Sequence, residues 1–194
     1  IFTGSADSAN TFFDIFLTSL YSNINYKVSN KTAINFGIRS SNFSNNYSGF
    51  ATHYGSPIDT IETSMKNDLL GFHLSFNHQL NDYLNFFSSV NRGYKAGGIN
   101  QNPNLESQKI YQPEYNLNFN NGIGFFSKII EANIDLFYMY RSQQQVGLYF
   151  QQSDNPSDFG FFTVNANKGY NSGIETTVKV NLNNNSSIVF NSGV

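Results

Sequence analysis

Three histidines and one glycine-rich run are the residues whose types and spacing come nearest to chemistry. Imidazoles sharing a face could ligate a metal ion, and an imidazole beside a serine could activate it as a nucleophile. His73 and His78 stand five positions apart in an alternating segment, so they face opposite sides and cannot share one ion. His78 adjoins a short turn and His53 lies among loop tyrosines, and no base–nucleophile arrangement accompanies either. Gly93-Tyr94-Lys95-Ala96-Gly97-Gly98 has the glycine density of a phosphate cradle. Such a cradle needs a strand before it and a helix after it, and no helical period follows. The glycines instead let the backbone bend where strand meets loop. Cysteine is absent, which removes disulfides, thiolate metal sites and cysteine nucleophiles. A net charge of −2 leaves no basic excess to hold nucleic acid. No catalytic residue, metal site or cofactor is expected, and the chain is not read as an enzyme.

The elements that carry these residues have a period of two, the mark of strands with two different faces. Leu20, Ile24, Tyr26 and Val28 oppose Tyr21, Asn23, Asn25 and Lys27. Ile34, Phe36 and Ile38 oppose Asn35, Gly37 and Arg39, and Leu70, Phe72, Leu74 and Phe76 oppose Gly71, His73, Ser75 and Asn77. The same alternation recurs at 84–91 (with Phe87 the exception), 116–123, 130–141, 173–180 and from 188 onward, which predicts eight strands, the last incomplete. Aromatics make up 16% of the chain and charged residues only 12%, against about 25% charged in an average soluble domain. The polarity comes from Asn, Ser and Gln. A wall with one greasy face and one uncharged polar face has that composition.

Short connections are predicted near Ser29-Asn30-Lys31, Asn81-Asp82, Ser127-Lys128 and Asn183-Asn184-Asn185, and long ones over 44–67, 94–112 and 147–166. Short turns at one rim and long loops at the other are the layout of an outer-membrane barrel. Pro57, Pro103 and Pro156 fall in the long loops and Pro113 at a strand start, where no ladder bond is lost. Lys27, Arg39, Glu131, Asp135, Arg141, Glu175 and Lys179 all take the polar parity. An Arg or Lys facing lipid at mid-depth costs about 2–4 kcal/mol, so this segregation identifies the other parity with hydrocarbon.

Over residues 83–180 the motifs resemble the barrel of TonB-dependent outer-membrane receptors. Ser89-Val90-Asn91-Arg92-Gly93-Tyr94-Lys95-Ala96-Gly97-Gly98-Ile99-Asn100 resembles the family's S-R-G-Y-K-A-G-G-F-N segment. Tyr111-Gln112-Pro113-Glu114 resembles its aromatic-x-P-E, and Leu136-Phe137-Tyr138-Met139-Tyr140 with Gln144-Gln145-Val146 its F-Y-x-x-Y…Q-V. Asn167-Lys168-Gly169 and Ser172-Gly173-Ile174-Glu175 resemble N-x-G…G-[VI]-E. The order and spacing agree throughout. The family's Y-E-x-G-x-K run is represented by Phe119-Asn120-Asn121-Gly122-Ile123-Gly124, which lacks the Glu and Lys.

The resemblance implies an all-β fold: about eight consecutive antiparallel strands of a transmembrane barrel of about 22, an open curved sheet when taken alone. Residues 1–194 are then part of one barrel domain, with the plug domain and TonB box lying outside the chain. It implies active uptake of a scarce nutrient (a ferric siderophore, cobalamin, haem or an oligosaccharide), powered by TonB acting through the plug, in the bacterial outer membrane. A passive or structural barrel and a soluble carbohydrate-binding β domain are the alternatives. His53, Tyr54, Tyr94, Lys95, Tyr149 and Phe161 are candidates for a ligand vestibule at the loop rim. Arg39, His73, Asp135, Arg141 and Glu175 are expected to face the lumen, as wall-to-plug or wall-to-wall contacts before substrate contacts. Arg92, on the apolar parity at the loop rim, is a candidate for lipid headgroups or lipopolysaccharide phosphates.

Overall fold

The computed structural model describes residues 8–53, 56–101, 108–151, 159–183 and 185–194, with the backbone alone at 8–9, 50–53 and 56–61. Strands dominate: β1 (Ser8–Ser29), β2 (Thr32–His53), β3 (Ser56–Gln79), β4 (Leu84–Lys95), β5 (Gly98–Ile99), β6 (Ile110–Tyr111), β7 (Glu114–Phe126), β8 (Ile130–Gln151), β9 (Phe159–Asn183) and β10 (Ser186–Gly193). Eight of them form one sheet in the order β1-β2-β3-β4-β7-β8-β9-β10, and β5 and β6 form a separate ribbon. Every pairing is antiparallel, and each joins consecutive strands except β4 with β7, between which the β5–β6 ribbon is inserted. β1 and β10 end the order, so the sheet is open.

Register converts the alternation of each strand into two continuous faces. Ile34 lies opposite Tyr26 on one side and Phe76 on the other. Leu74 lies between Phe36 and Val90, and Ile134 between Ile123 and Thr176. A slip of one residue would send this whole set to the other face. The apolar row is uncovered: Ile24 is 58% exposed and Ile134 52%. On a folded chain such a surface calls for an apolar solvent. Lys27, Arg39, Glu131, Asp135, Arg141, Glu175 and Lys179 sit on the other face, among rows such as Asn25–Asn35–Ser75–Ser89–Asn120. There Asn35 Nδ2 donates to Asn25 Oδ1, and His73 bonds Asn91. Lys179 Nζ lies 3.0 Å from Glu131 Oε1.

The four short turns share one device, an Asn or Ser side-chain oxygen taking the free N–H groups of the bend. Asn81 Oδ1 accepts from Tyr83 and Leu84, each at 2.9 Å. Ser127 Oγ accepts from Ile130 at 2.9 Å, Asn183 Oδ1 from Asn185 at 2.9 Å and Ser29 Oγ from Lys31 at 3.2 Å. From this rim the apolar row runs up to the first charges of its own parity, which are Asp14 on β1, Asp68 on β3, Arg92 on β4 and Lys168 on β9. Leu70 to His78 is nine residues, the length of a strand that crosses hydrocarbon at about 45°. Stacked Tyr138 and Tyr170 at the upper edge and Tyr83 and Phe125 at the lower, with ring centroids 6.5 and 6.2 Å apart, suit the two interfaces.

Two of the three long loops are corrected. Residues 44–53 and 56–67 continue β2 and β3, and 147–151 and 159–166 continue β8 and β9. Pro57 therefore lies near the start of β3 rather than in a loop, while Pro103 and Pro156 fall outside the described residues. Above the rim both faces meet water, so the alternation lapses although the ladder continues. The strands differ accordingly: β2, β3, β8 and β9 have 22 to 25 residues, β4 and β7 only 12 and 13. The connection over 94–112 carries the β5–β6 ribbon.

Phe87, the exception to the alternation, has a physical reason. Its ring covers Gly122 on the neighbouring strand, just as Phe137 covers Gly173. A Cβ at Gly122 would meet the Phe87 ring, with Asp135 Oδ1 only 2.7 Å away. Gly122→Val is therefore expected to destabilise the intact protein in detergent by about 1–3 kcal/mol, read as a lower urea midpoint. Adding Phe87→Leu should restore part of the loss. Full stability of the single variant would remove this account.

Candidate functional site

Above the rim, on the polar face, lies the part of the molecule that resembles a core. Tyr47, Met65 and Ile99 pack together with Phe43 behind them. Ser41, Asn45, Leu69 and Asn100 are also buried. Residues 41–47 and 65–69 contribute through the odd-numbered parity of β2 and β3, the parity of Arg39 and His73. Burial pushes the Tyr47 phenol above its ordinary pKa, so it stays neutral. Ile99 arrives from the ribbon, which folds over this face in the gap left by the short strands β4 and β7.

The turn inward begins at Gly71. β3 and β4 pair up to Phe72↔Arg92 and no further. There β4 crosses over Gly71, whose Cβ would meet the Arg92 carbonyl and the Tyr94 ring, each at 3.1 Å. Tyr94 has the parity of Arg92, yet its hydroxyl reaches the polar face and bonds Ser41 Oγ at 2.6 Å. Ser41 bonds Ser19 at 2.7 Å, and Arg39 Nη2 donates to Ser19 at 3.1 Å. Tyr94, Arg39 and His73 thus line one hollow of about 460 Å³ with Tyr21 and Asn23.

Arg92 stays behind at the rim. Its guanidinium lies 4.4 Å from the Tyr115 ring centroid, and Nη1 donates at 2.9 Å to the Leu70 carbonyl. Lys95 is exposed and opposite Glu114. Tyr149 and Phe161, directly opposite each other on β8 and β9, line a second hollow of about 550 Å³ with Tyr111, Ile99 and Asn100. Both rings are largely exposed, at 71% and 76%. The candidate vestibule residues therefore divide between two hollows. The His53 side chain and Tyr54 lie outside the described residues. Asp135 and Glu175 face each other across β8 and β9 lower on the same face. Arg141 Nε approaches Met139 Sδ at 3.4 Å.

Sequence reasoning passed over the amides that hold the ribbon. Asn100 Nδ2 donates to the Thr163 carbonyl and Thr163 N donates back to Asn100 Oδ1, both at 2.8 Å. Gln145 Nε2 donates to the Ala96 and Gln112 carbonyls at 2.8 and 3.1 Å, while its backbone N donates to Glu114 Oε2 at 2.9 Å. Asn165 Oδ1 accepts from Gln112 N at 2.6 Å, and its Nδ2 donates to the Gln112 and Gln143 carbonyls at 2.8 Å. Gln143 has a left-handed φ of 54°, which presents that carbonyl where β7 has ended. The signal was present in the motifs: Gln112, Glu114 and Gln145 belong to the P-E and Q-V elements, and all three meet in this one network. The same contacts dispose of a phosphate cradle. Gly97 and Gly98 lie against Tyr111, and the segment leads into a ribbon, not a helix.

Residues 2–193 match the protein family described as TonB dependent receptor-like, beta-barrel. No curated protein matches the chain. Among solved structures, the ferric yersiniabactin uptake receptor FyuA from Yersinia pestis is similar at a TM-score of 0.79 and 20% identity, over 97% of this chain and 28% of that one. The ferric-catecholate import receptor Fiu from K12 E. coli is similar at 0.61 and 15%, over 95% of this chain and 28% of that one. The copper transporter OprC is similar at 0.69 and 12%, over 92% and 29%. At these identities the likeness is one of fold. The chain spans under a third of the length of each of these proteins.

Proposed function

Since the chain belongs to the TonB-dependent receptor β-barrel family, we propose that it is a wall segment of an outer-membrane receptor that binds a scarce nutrient and imports it with energy from TonB. The family is one of outer-membrane transport receptors. The observation that supports the reading most is the pair of unlike faces: an uncovered apolar row about one membrane strand long, and a polar face that carries one hollow at the rim and, above it, a second hollow and an inward-folded ribbon. In this reading Tyr94, Tyr149 and Phe161 contact the nutrient, and Lys95, His53 and Tyr54 are further candidates for that contact. Arg39, His73, Asp135, Arg141 and Glu175 face the lumen and its plug. Arg92 meets lipid headgroups or lipopolysaccharide at the rim. Ferric siderophores are favoured among nutrients by what FyuA and Fiu carry.

Cells bearing or lacking the intact receptor should differ in uptake of one member of a panel of labelled ferric siderophores, cobalamin, haem and oligosaccharides. That difference should vanish when the proton gradient is collapsed. Receptor-dependent uptake that survives the uncoupler would instead mean a passive barrel.

A further inference from the structure

The ribbon is held in two unlike ways at its two sides, and we propose that it is a hinged strap, fixed on β2–β3 and releasable from β8–β9. On the β2–β3 side the contact is close and mainly apolar, with one amide bond from Gly97 N to Asn67 Oδ1 at 3.2 Å. Ile99 is only 7% exposed against Tyr47 and Met65, and Gly97 fits so tightly that a Cβ there would lie 3.0 Å from Met65 Cε. Lifting this side re-exposes side chains to water with nothing in return. Among the described residues no backbone ladder joins the ribbon to strands on either side. On the β8–β9 side the bonds are made by the side-chain amides of Asn100, Gln145 and Asn165, at 2.6 to 3.1 Å. The bonds that Gln145 and Asn165 make to Gln112 are exposed, whereas those of the buried Asn100 are not. Water replaces an exposed amide bond at little net cost, so the Gln112 end of this side lets go first.

The strap itself is small. Among the described residues β5 and β6 pair at Gly98↔Tyr111 and Ile99↔Ile110, and Asn100 N donates to the Lys109 carbonyl at 2.7 Å, so they turn as one piece about the Ile99 anchor. Release widens the hollow of about 550 Å³ under Tyr111, Tyr149 and Phe161 and clears the inner face beside it. The mechanical role rests on reading that face as the pore side, whereas the asymmetry of the two attachments can be tested without any ligand.

The intact receptor is purified in detergent with Gln145→Ala and Asn165→Ala together, and compared with the unmodified receptor. Amide hydrogen exchange over 108–112 is expected to rise at least tenfold. A Met65→Cys thiol, introduced in a background free of other reactive thiols, reports the anchored side and should be labelled by maleimide at an unchanged rate. Ile99→Ala should accelerate that labelling at least tenfold. If the double amide variant speeds exchange and labelling together, the ribbon has no fixed side. If exchange over 108–112 does not move, the amides do not hold it. Either result overturns the strap. The expected exchange pattern in a receptor that shows no gradient-dependent uptake would count against the transport reading alone.

Discussion

Leu74→Arg is expected to impair assembly of the intact receptor in a bilayer by about 2–4 kcal/mol, while Ser75→Arg next to it leaves assembly nearly unchanged. Leu74 stands midway in the hydrocarbon-length run of β3, between Phe36 and Val90 on the apolar row. A guanidinium there has no water within reach and must bend the bilayer or the strand to find some. Ser75 points the other way, between Asn35 and Ser89, into a row of amides and hydroxyls that can hydrate or bond the same group. The loss corresponds to about 30- to 900-fold in the folded-to-unfolded ratio. It is read as the urea midpoint for refolding into lipid vesicles and as the yield recovered from outer membranes. Equal penalties at the two positions, or a larger one at Ser75, would mean that the apolar row does not face lipid.

Gly97→Val is expected to undock the ribbon while leaving the membrane-height sheet in place. The added atoms would meet the Tyr111 carbonyl, part of the ribbon's own backbone, with Met65 Cε at 3.0 Å and Asn67 Oδ1 at 3.2 Å. A backbone carbonyl cannot swing aside as a side chain does, so β6 must move, and with it the Gly98↔Tyr111 pair. Overpacking of this kind costs about 1–3 kcal/mol or more. Because β5 and β6 are two residues each, there is little pairing to resist it. Proteolysis within 96–113 under native conditions should become at least tenfold faster, with the heat-modifiable migration of the barrel retained. Ala96→Val, one position away, is the control and should stay near the unmodified rate. A protease-resistant Gly97→Val receptor would show that the glycine is not required for the close approach.

The sequence by itself determined the eight strands, their order and, Phe87 apart, the face each side chain takes at membrane height. Those follow from a local rule, since a strand between hydrocarbon and water must alternate and a charge must take the wet side. It also carried the motifs, whose likeness to receptor barrels named the family. The tertiary structure alone decided what happens above the rim. There both faces are wet and the pattern that marks a strand disappears, so β2, β3, β8 and β9 run on through segments that read as loops. It decided that Tyr94 turns inward, because β4 parts from β3 beyond Arg92 and closes over Gly71 while still paired to β7, and that Phe87 belongs on the polar face, because Gly122 lies beneath it. It decided that Asn100, Gln145 and Asn165 are fastenings. An amide's role depends on which backbone group comes within about 3 Å of it, and partners as distant in the chain as Asn100 and Thr163 meet only once the strands between them have paired.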